Sequence, residues 1–275
     1  MRDVGRSTAA ALPQADASTL VDRATLAEQV QAMYRNVARD PFAPRHFETG
    51  RNLALRLGYP EPLLASVPYE ALASFAGVGY HLDLAELRPG DRVLDLGSGS
   101  GTDAFSAAVS VGPTGHVTGV DFTDAQIANA TRLAERHGVD NAHFVEASID
   151  DLPFDDGSFD VVISNGVINL SPVKHRVFAE AARVLRPGGR LALADMVSET
   201  PLREATRRNT ELWAACIAGA IPSTAYLGEL EAAGFAITET RPNASYRFIT
   251  ERALQACRTY GVESLSIAAT KGAGA

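Results

Sequence analysis

Residues 92–101, Arg-Val-Leu-Asp-Leu-Gly-Ser-Gly-Ser-Gly, constrain the fold more than any other stretch of the chain. Arg92 to Leu96 is a short apolar run of the kind that makes a buried strand. Gly97, Gly99 and Gly101 then crowd one turn, and helical spacing follows from about 102 to 111. Strand, glycine turn and helix in that order open a βαβ unit, which requires a parallel sheet and a crossover helix. The rhythm continues with strand patterns at 116–121, 142–146, 159–164 and 190–195, with helical segments after the first and third of these. The expectation is an α/β protein: a doubly wound Rossmann-like sheet of about seven strands, mostly parallel. Two late strands, near 235–241 and 263–270, are expected to form an antiparallel edge.

Helix boundaries follow from local chemistry. Leu26, Val30, Met33, Tyr34 and Val37 repeat at helical spacing over 20–38, with Thr25 and Glu28 as a capping box and Asp40-Pro41 as a stop. Short helical patches lie near 49–57 and 68–75. Thr123 with Gln126 reads as a second capping box, on a helix that stops at His137-Gly138. Ser171 as N-cap and Pro172 in the first turn open another, and helices are expected at 203–218 and 223–233. The predicted organisation is a mobile tail at 1–17, a small helical N-terminal cap at 18–80, and a main domain at 81–275 with a helical substrate insert near 200–225.

Charge and cysteine content exclude several functions. The chain has 275 residues, 25 basic and 33 acidic side chains, a net charge of −8, and 2 cysteines. An acidic balance argues against nucleic acid or an anionic membrane as partner, because phosphates are neutralised by clustered Lys and Arg. Cys216 and Cys257 cannot make a disulfide framework or a four-cysteine zinc site. No His pair or carboxylate cluster has metal-ligand spacing, so no metal is expected. Without a signal-peptide pattern or a run of 18 apolar residues, the chain reads as cytoplasmic. Residues 91–199 hold 8 basic and 16 acidic groups, which amounts to the whole net charge.

That segment also holds the chemistry. In an open α/β sheet, ligands bind at the carboxyl ends of the strands, where the glycine turn sits. Asp121 ends the second strand 20 residues after Gly101, placed to accept ribose hydroxyls. These features fit either a dinucleotide or S-adenosylmethionine. The dinucleotide fingerprint is G-x-G-x-x-G, whereas here glycines fall at 97, 99 and 101 and position 102 is Thr. Asp95 would repel a pyrophosphate and attract an ammonium or sulfonium. The electrostatics therefore favour the cationic cofactor, and Asp150, after the third strand, is placed for an adenine amino group.

Five motifs in order now carry a resemblance. Val93 to Gly101, Val120-Asp121, Ala147 to Phe154, Phe159 to Asn165 and Leu185 to Gly189 resemble class I S-adenosylmethionine-dependent methyltransferases over residues 75–240. Asp95 to Asp103, Ile163 to Pro172 and Leu212 to Cys216 are similar to the arsenite methyltransferase family. The resemblance implies S-adenosyl-L-methionine as cofactor. It implies that Asp95, Gly97, Ser98, Gly99, Gly101, Asp103, Asp121, Phe122, Ile149, Asp150 and Asn165 form its site. Gly97 and Asn165 would face the methionyl amine, with Asp103 near the same end. Asp121 would face the ribose, and Ile149 and Asp150 the adenine.

The acceptor is where the chain departs from that family. Arsenite methylation needs soft thiolates around As(III). The family supplies them before the first motif, in the fourth motif and in the later helix. Here no cysteine precedes Asp95, the fourth-motif position is Gly166, and only Cys216 remains in the matched region. Gly166 is expected to open space for a bulkier partner, a small-molecule organic methyl acceptor. Catalytic candidates for a proton-bearing nucleophile are His46, Glu48, His81, Glu211 and Cys216. Trp213 and Tyr226 are candidate walls of an apolar pocket. The alternatives are arsenite methylation with external thiols and a non-catalytic S-adenosylmethionine-binding protein. The sequence assigns no oligomeric state.

Overall fold

The computed structural model describes residues 21–45, 47–214 and 216–272, with no side-chain detail at 211, 214 and 252. The expected tail at 1–17 and the candidate His46 lie outside the described residues. Four helices come first: α1 (Arg23–Arg39), α2 (Arg51–Leu57), α3 (Glu61–Ala65) and α4 (Tyr69–Ala73). The alternating part runs β1 (Arg92–Leu96), α5 (Thr102–Val111), β2 (His116–Asp121), α6 (Asp124–His137), β3 (Ala142–Glu146), β4 (Phe159–Asn165), α7 (Lys174–Val184) and β5 (Leu185–Val197). It closes with α8 (Glu204–Arg207), α9 (Thr210–Ala214), α10 (Ser223–Ala232), β6 (Phe235–Pro242), α11 (Glu251–Tyr260) and β7 (Glu263–Lys271).

The strands form one seven-stranded sheet in the order β3-β2-β1-β4-β5-β7-β6. β7 is antiparallel to both β5 and β6, so the antiparallel strand lies one place in from the edge and β6 is outermost. The chain reverses its direction of travel across the sheet between β1 and β4, where a ligand crevice is expected. Both faces are covered, which is why the strands read as continuous apolar runs. Val93, Val117, Val161 and Ile163 point into a core with α5 and α6. Leu94, Leu96, Val162 and Leu193 point the other way, onto α7 and α10. A third cluster joins Leu26 and Val30 of α1 to Trp213, Cys216 and Phe248.

Several boundaries differ from the sequence expectation. The cap of α1 is Asp22, whose carboxylate accepts the Thr25 N–H at 2.8 Å, so Thr25 is capped and does not cap Glu28. Thr123 makes no side-chain cap bond either; Gln126 instead bonds Ser100 at 2.5 Å and the Tyr34 carbonyl at 3.2 Å. A long-range use of that side chain replaces the local one. The expected N-cap Ser171 accepts the Val173 N–H at 3.2 Å, and α7 starts only at Lys174. β5 starts at Leu185, not at 190, because Pro187-Gly188-Gly189 is absorbed as a bulge between the pairs Phe159–Leu185 and Val161–Arg190.

The expected helix 203–218 is broken. Asn209 Oδ1 accepts the Leu212 N–H at 3.0 Å and starts α9 afresh. At Cys216 the chain turns left-handed, φ 59°, and the amides of Ile217 and Ala218 close onto the Leu212 carbonyl at 2.9 and 3.0 Å. Gly219 permits the close approach that follows, since a Cβ there would lie 1.9 Å from the Asn169 carbonyl oxygen. Cys216 is therefore a turn residue, not a helix residue.

Candidate functional site

The glycine turn after β1 and the ends of β2 and β4 form a cleft roofed by α1. One end, of about 680 Å³, is lined by Asp95, Asp103 and Asp121 together with Tyr34, Gly166 and Leu170. The other, of about 670 Å³, is mostly apolar and is lined by Leu26, Ile149, Asp150 and Pro172. Val30, Gly97, Asp121, Phe122, Val167 and Leu170 line both, so the two ends form one groove.

Gly97 shows why the turn is built from glycine. Its φ is 71°, and a Cβ there would meet the Val167 side chain at 2.5–2.7 Å. Its N–H, like that of Ser98, is tied to the Val120 carbonyl, at 2.8 and 2.9 Å. The Asp121 carboxylate accepts the Gly99 N–H at 3.1 Å and the Thr123 N–H at 2.8 Å, so the acid holds the turn as well as facing the groove. Burial pushes the Asp121 carboxyl up, and the two amides partly offset this. Asp103 accepts the Tyr59 hydroxyl at 2.5 Å and the Asn165 amide at 3.0 Å. Asn165 Oδ1 in turn accepts the Val78 N–H at 2.7 Å, which fastens segment 77–79 over β4. Asp95 is 2 % exposed and one of its oxygens has no partner. Burial first, then Asp103 and Asp121, hold its carboxyl well above the usual range. The Ser98 hydroxyl, also buried on the groove, lacks a partner too.

Helix α1 is pinned to the groove rim. Arg23 pairs with Asp150 at 2.7 Å, Gln31 bonds the Phe122 carbonyl at 2.7 Å, and Arg35 pairs with Asp124 at 2.8 Å. The N-terminal helix thus covers the predicted cofactor positions, not only the acceptor space.

All eleven predicted cofactor positions fall on this cleft or its turn: ten line it, and Gly101 caps α5 directly behind it. The catalytic candidates scatter. His81 is fully buried, lines neither end, and has no partner on either nitrogen; burial pushes its pKa down. Glu48 is ion-paired with Arg56 away from the groove walls. Glu211 sits on α9, with no side-chain detail. Cys216 Sγ lies 3.7 Å from both the Tyr34 hydroxyl and the Gly166 carbonyl, and burial pushes its thiol up to about 11. The space beside Gly166 is not open as expected, because the Val78 methyls stand 3.2 and 3.6 Å from where a Cβ would be. Trp213 and Tyr226 are core residues, bonded to the Arg207 carbonyl at 2.6 Å and to Asp195 at 2.8 Å. Sequence reasoning missed the groove roles of Val30 and Tyr34, since a helix stripe facing a cleft has the same spacing as one facing a core.

Among the described residues no helix is long and apolar enough to cross a membrane, and no cluster of three or more His, Cys, Asp or Glu could hold a metal.

Residues 87–241 match a family model described as a methyltransferase domain. The chain belongs to that family. The chain is 41% identical over 205 residues to an arsenite methyltransferase of Halobacterium salinarum, a match covering 74% of this chain and 52% of that one. It thus spans about half the length of the curated relatives it matches. An arsenic(III) S-adenosylmethionine methyltransferase from Chlamydomonas reinhardtii superposes with a TM-score of 0.66 at 35% identity, covering 77% of this chain and 72% of that one. A geranyl diphosphate C-methyltransferase from Streptomyces coelicolor, in complex with S-adenosyl-L-homocysteine, shares the fold at TM-score 0.63 and 18% identity, covering 90% of this chain and 97% of that one. S-adenosylmethionine is the cofactor named for the Chlamydomonas relative. The residues present fit it: orphaned Asp95 and Ser98 oxygens face the polar end, a cradle at Gly97 leaves no room for a Cβ, and the far end is apolar.

Proposed function

We propose that the protein transfers a methyl group from S-adenosylmethionine to a small organic acceptor. When bound, the cofactor supplies an electrophilic methyl group on a cationic sulfur. Asp121 would hold the ribose hydroxyls, Ile149 and Asp150 the adenine, and Asp95, Gly97, Ser98, Asp103 and Asn165 the methionyl end. Gly99, Gly101 and Phe122 would shape the turn around it. Alignment and exclusion of water are the protein's main contributions to an in-line displacement. The roof formed by α1 supports that reading, since Val30 and Tyr34 close the groove from above.

The environment of Cys216 carries the choice of acceptor. It is the single thiol beside Gly166, it is buried, and it is held as a neutral thiol with a pKa near 11. As(III) is a soft centre that binds thiolates. Val78, which packs against Gly166, offers it none. Tyr34 and Gly166, which line the groove, offer a phenol and backbone and no soft donor, which suits an organic molecule. The second reading, arsenite methylation with externally supplied thiols, is supported by the 41% identity to the Halobacterium protein. Labelled-methyl transfer into fractionated small metabolites, run beside arsenite with glutathione, separates the two. Label in an organic product supports the proposal, whereas label only in methylated arsenic, lost in Cys216→Ala, overturns it. Cofactor binding with no transfer to either would make the protein a binding module.

A further inference from the structure

Three carboxylates converge on the polar end of the groove from three elements: Asp95 on β1, Asp103 on α5 and Asp121 at the end of β2. They are 2, 6 and 8 % exposed. Among the described residues no Lys, Arg or His lines this end, so no protein cation balances them there. Asp103 and Asp121 are occupied, the first by Tyr59 and Asn165, the second by backbone amides of Gly99 and Thr123. Asp95 keeps a bare oxygen, and the buried Ser98 hydroxyl on the same wall is also bare. Like charges gathered out of water are costly unless a cation joins them. The arrangement is thus a site with a missing positive charge.

Methyl transfer changes the charge of the ligand proposed for that site. The methyl group leaves, the electron pair of the broken carbon–sulfur bond stays on sulfur, and a cationic sulfonium becomes a neutral thioether. The amine and carboxylate of the methionyl end are the same before and after. We propose that Asp95, backed by Asp103 and Asp121, makes the groove select its cofactor by charge, holding the sulfonium form more firmly than the spent thioether. The inference rests on the cofactor placement proposed above. It assigns Asp95 a specificity role, that of distinguishing fresh from spent cofactor and easing product departure.

The charged state of Asp95 sets the strength of this selection. The groups facing it are Asp103 and Asp121, which oppose its ionisation, the Ala104 amide, which favours it, and the neutral Tyr59 phenol. Its neighbour across the β4 register is Ile163, which carries no charge. Burial and two like charges hold its carboxyl above the usual range, so the protonated form is favoured as pH falls, and a cation entering the groove favours the ionised form. Selection should therefore weaken as pH falls.

Calorimetry with three ligands tests this: S-adenosylmethionine and sinefungin, which both carry a positive charge near the transferred-methyl position, and neutral S-adenosylhomocysteine. The expected result is that both cations gain on the neutral ligand by about tenfold between the lowest and the highest pH at which the protein stays folded, the scale of one ion pair in a screened site. Comparing ratios cancels the amine and carboxylate shared by the ligands. In buffers of different ionisation enthalpy, the cations should release protons that the neutral ligand does not. Asp95→Asn should flatten the pH dependence of the ratio while still binding S-adenosylhomocysteine. Equal ratios at both pH values, or no difference in proton release with wild-type protein, would overturn the inference even if the variant fails to fold. If none of the three ligands binds, the cofactor placement itself fails, which is a different result.

Discussion

The glycine turn and the wall around Gly166 are built by different means. The turn region comes from nearly consecutive residues: one strand, one turn, one helix and the acid at the end of the next strand. Backbone geometry dominates there, through the φ of Gly97 and the amides that Asp121 holds. The wall around Gly166 is assembled from distant segments: Tyr34 of α1, Val78 and the Cys216 turn, of which Tyr34 reaches the groove itself. Side-chain identity, more than backbone geometry, sets its chemistry. On the proposed function, the backbone-built turn is the part that many reactions can share, and the side chains around Gly166 are the part that can differ between them.

This contrast orders the expected effects of substitution. Gly97→Ala should be the most damaging. The new methyl group collides with Val167 at 2.5 Å and sits at a φ that costs about 1–3 kcal/mol for a non-glycine residue, so cofactor binding is lost and the denaturation midpoint falls. Asp121→Ala should weaken S-adenosylmethionine by about 2–3 kcal/mol, read by calorimetry, since charge-assisted bonds to ribose and the hold on the turn go together. A tenfold loss or less would place the ribose elsewhere.

A medium effect concerns pH. Burial pushes the Asp195 carboxyl up to about 6 and the Lys174 ammonium down to about 8. A raised carboxyl favours the fold fully below its unfolded value of 3.8, and that advantage is lost as pH rises through about 6. Asp195 therefore lowers stability between those pH values. The Lys174 contribution runs oppositely, with stability regained as pH rises from about 8 toward 10.5. Urea titrations of the cofactor-free protein should show the acid-side fall, on the order of 1–3 kcal/mol, and Asp195→Asn should reduce it. The smallest effect is expected at the wall around Gly166. Cys216→Ala should leave transfer to an organic acceptor within about a few-fold of wild type, because a neutral buried thiol supplies packing and not charge. Complete loss with arsenite as the acceptor would instead favour the rival reading.

What could be read from the sequence follows the same divide. The sheet, the glycine turn and Asp121 are local and periodic, so their spacing shows them directly. The breaks at Asn209 and Cys216 were hidden because residues 203–218 carry no glycine or proline. The cause lies in the fold: the Cys216 turn packs against the Asn169 backbone, a long-range contact that spacing does not record. Gln126 misled for a related reason, as a residue suited to a local cap is used by Ser100 and Tyr34 instead. α11 (Glu251–Tyr260) has no counterpart among the sequence expectations, and the packing at Gly166 depends on Val78, which comes from a distant segment.

The central claim is that this groove holds S-adenosylmethionine. Titrating the cofactor into the purified chain, with heat as the signal, tests it most directly. The account predicts saturable one-to-one binding that Asp121→Ala weakens strongly. No heat at about millimolar cofactor, where even a weak complex of about −4 kcal/mol would form, would contradict it.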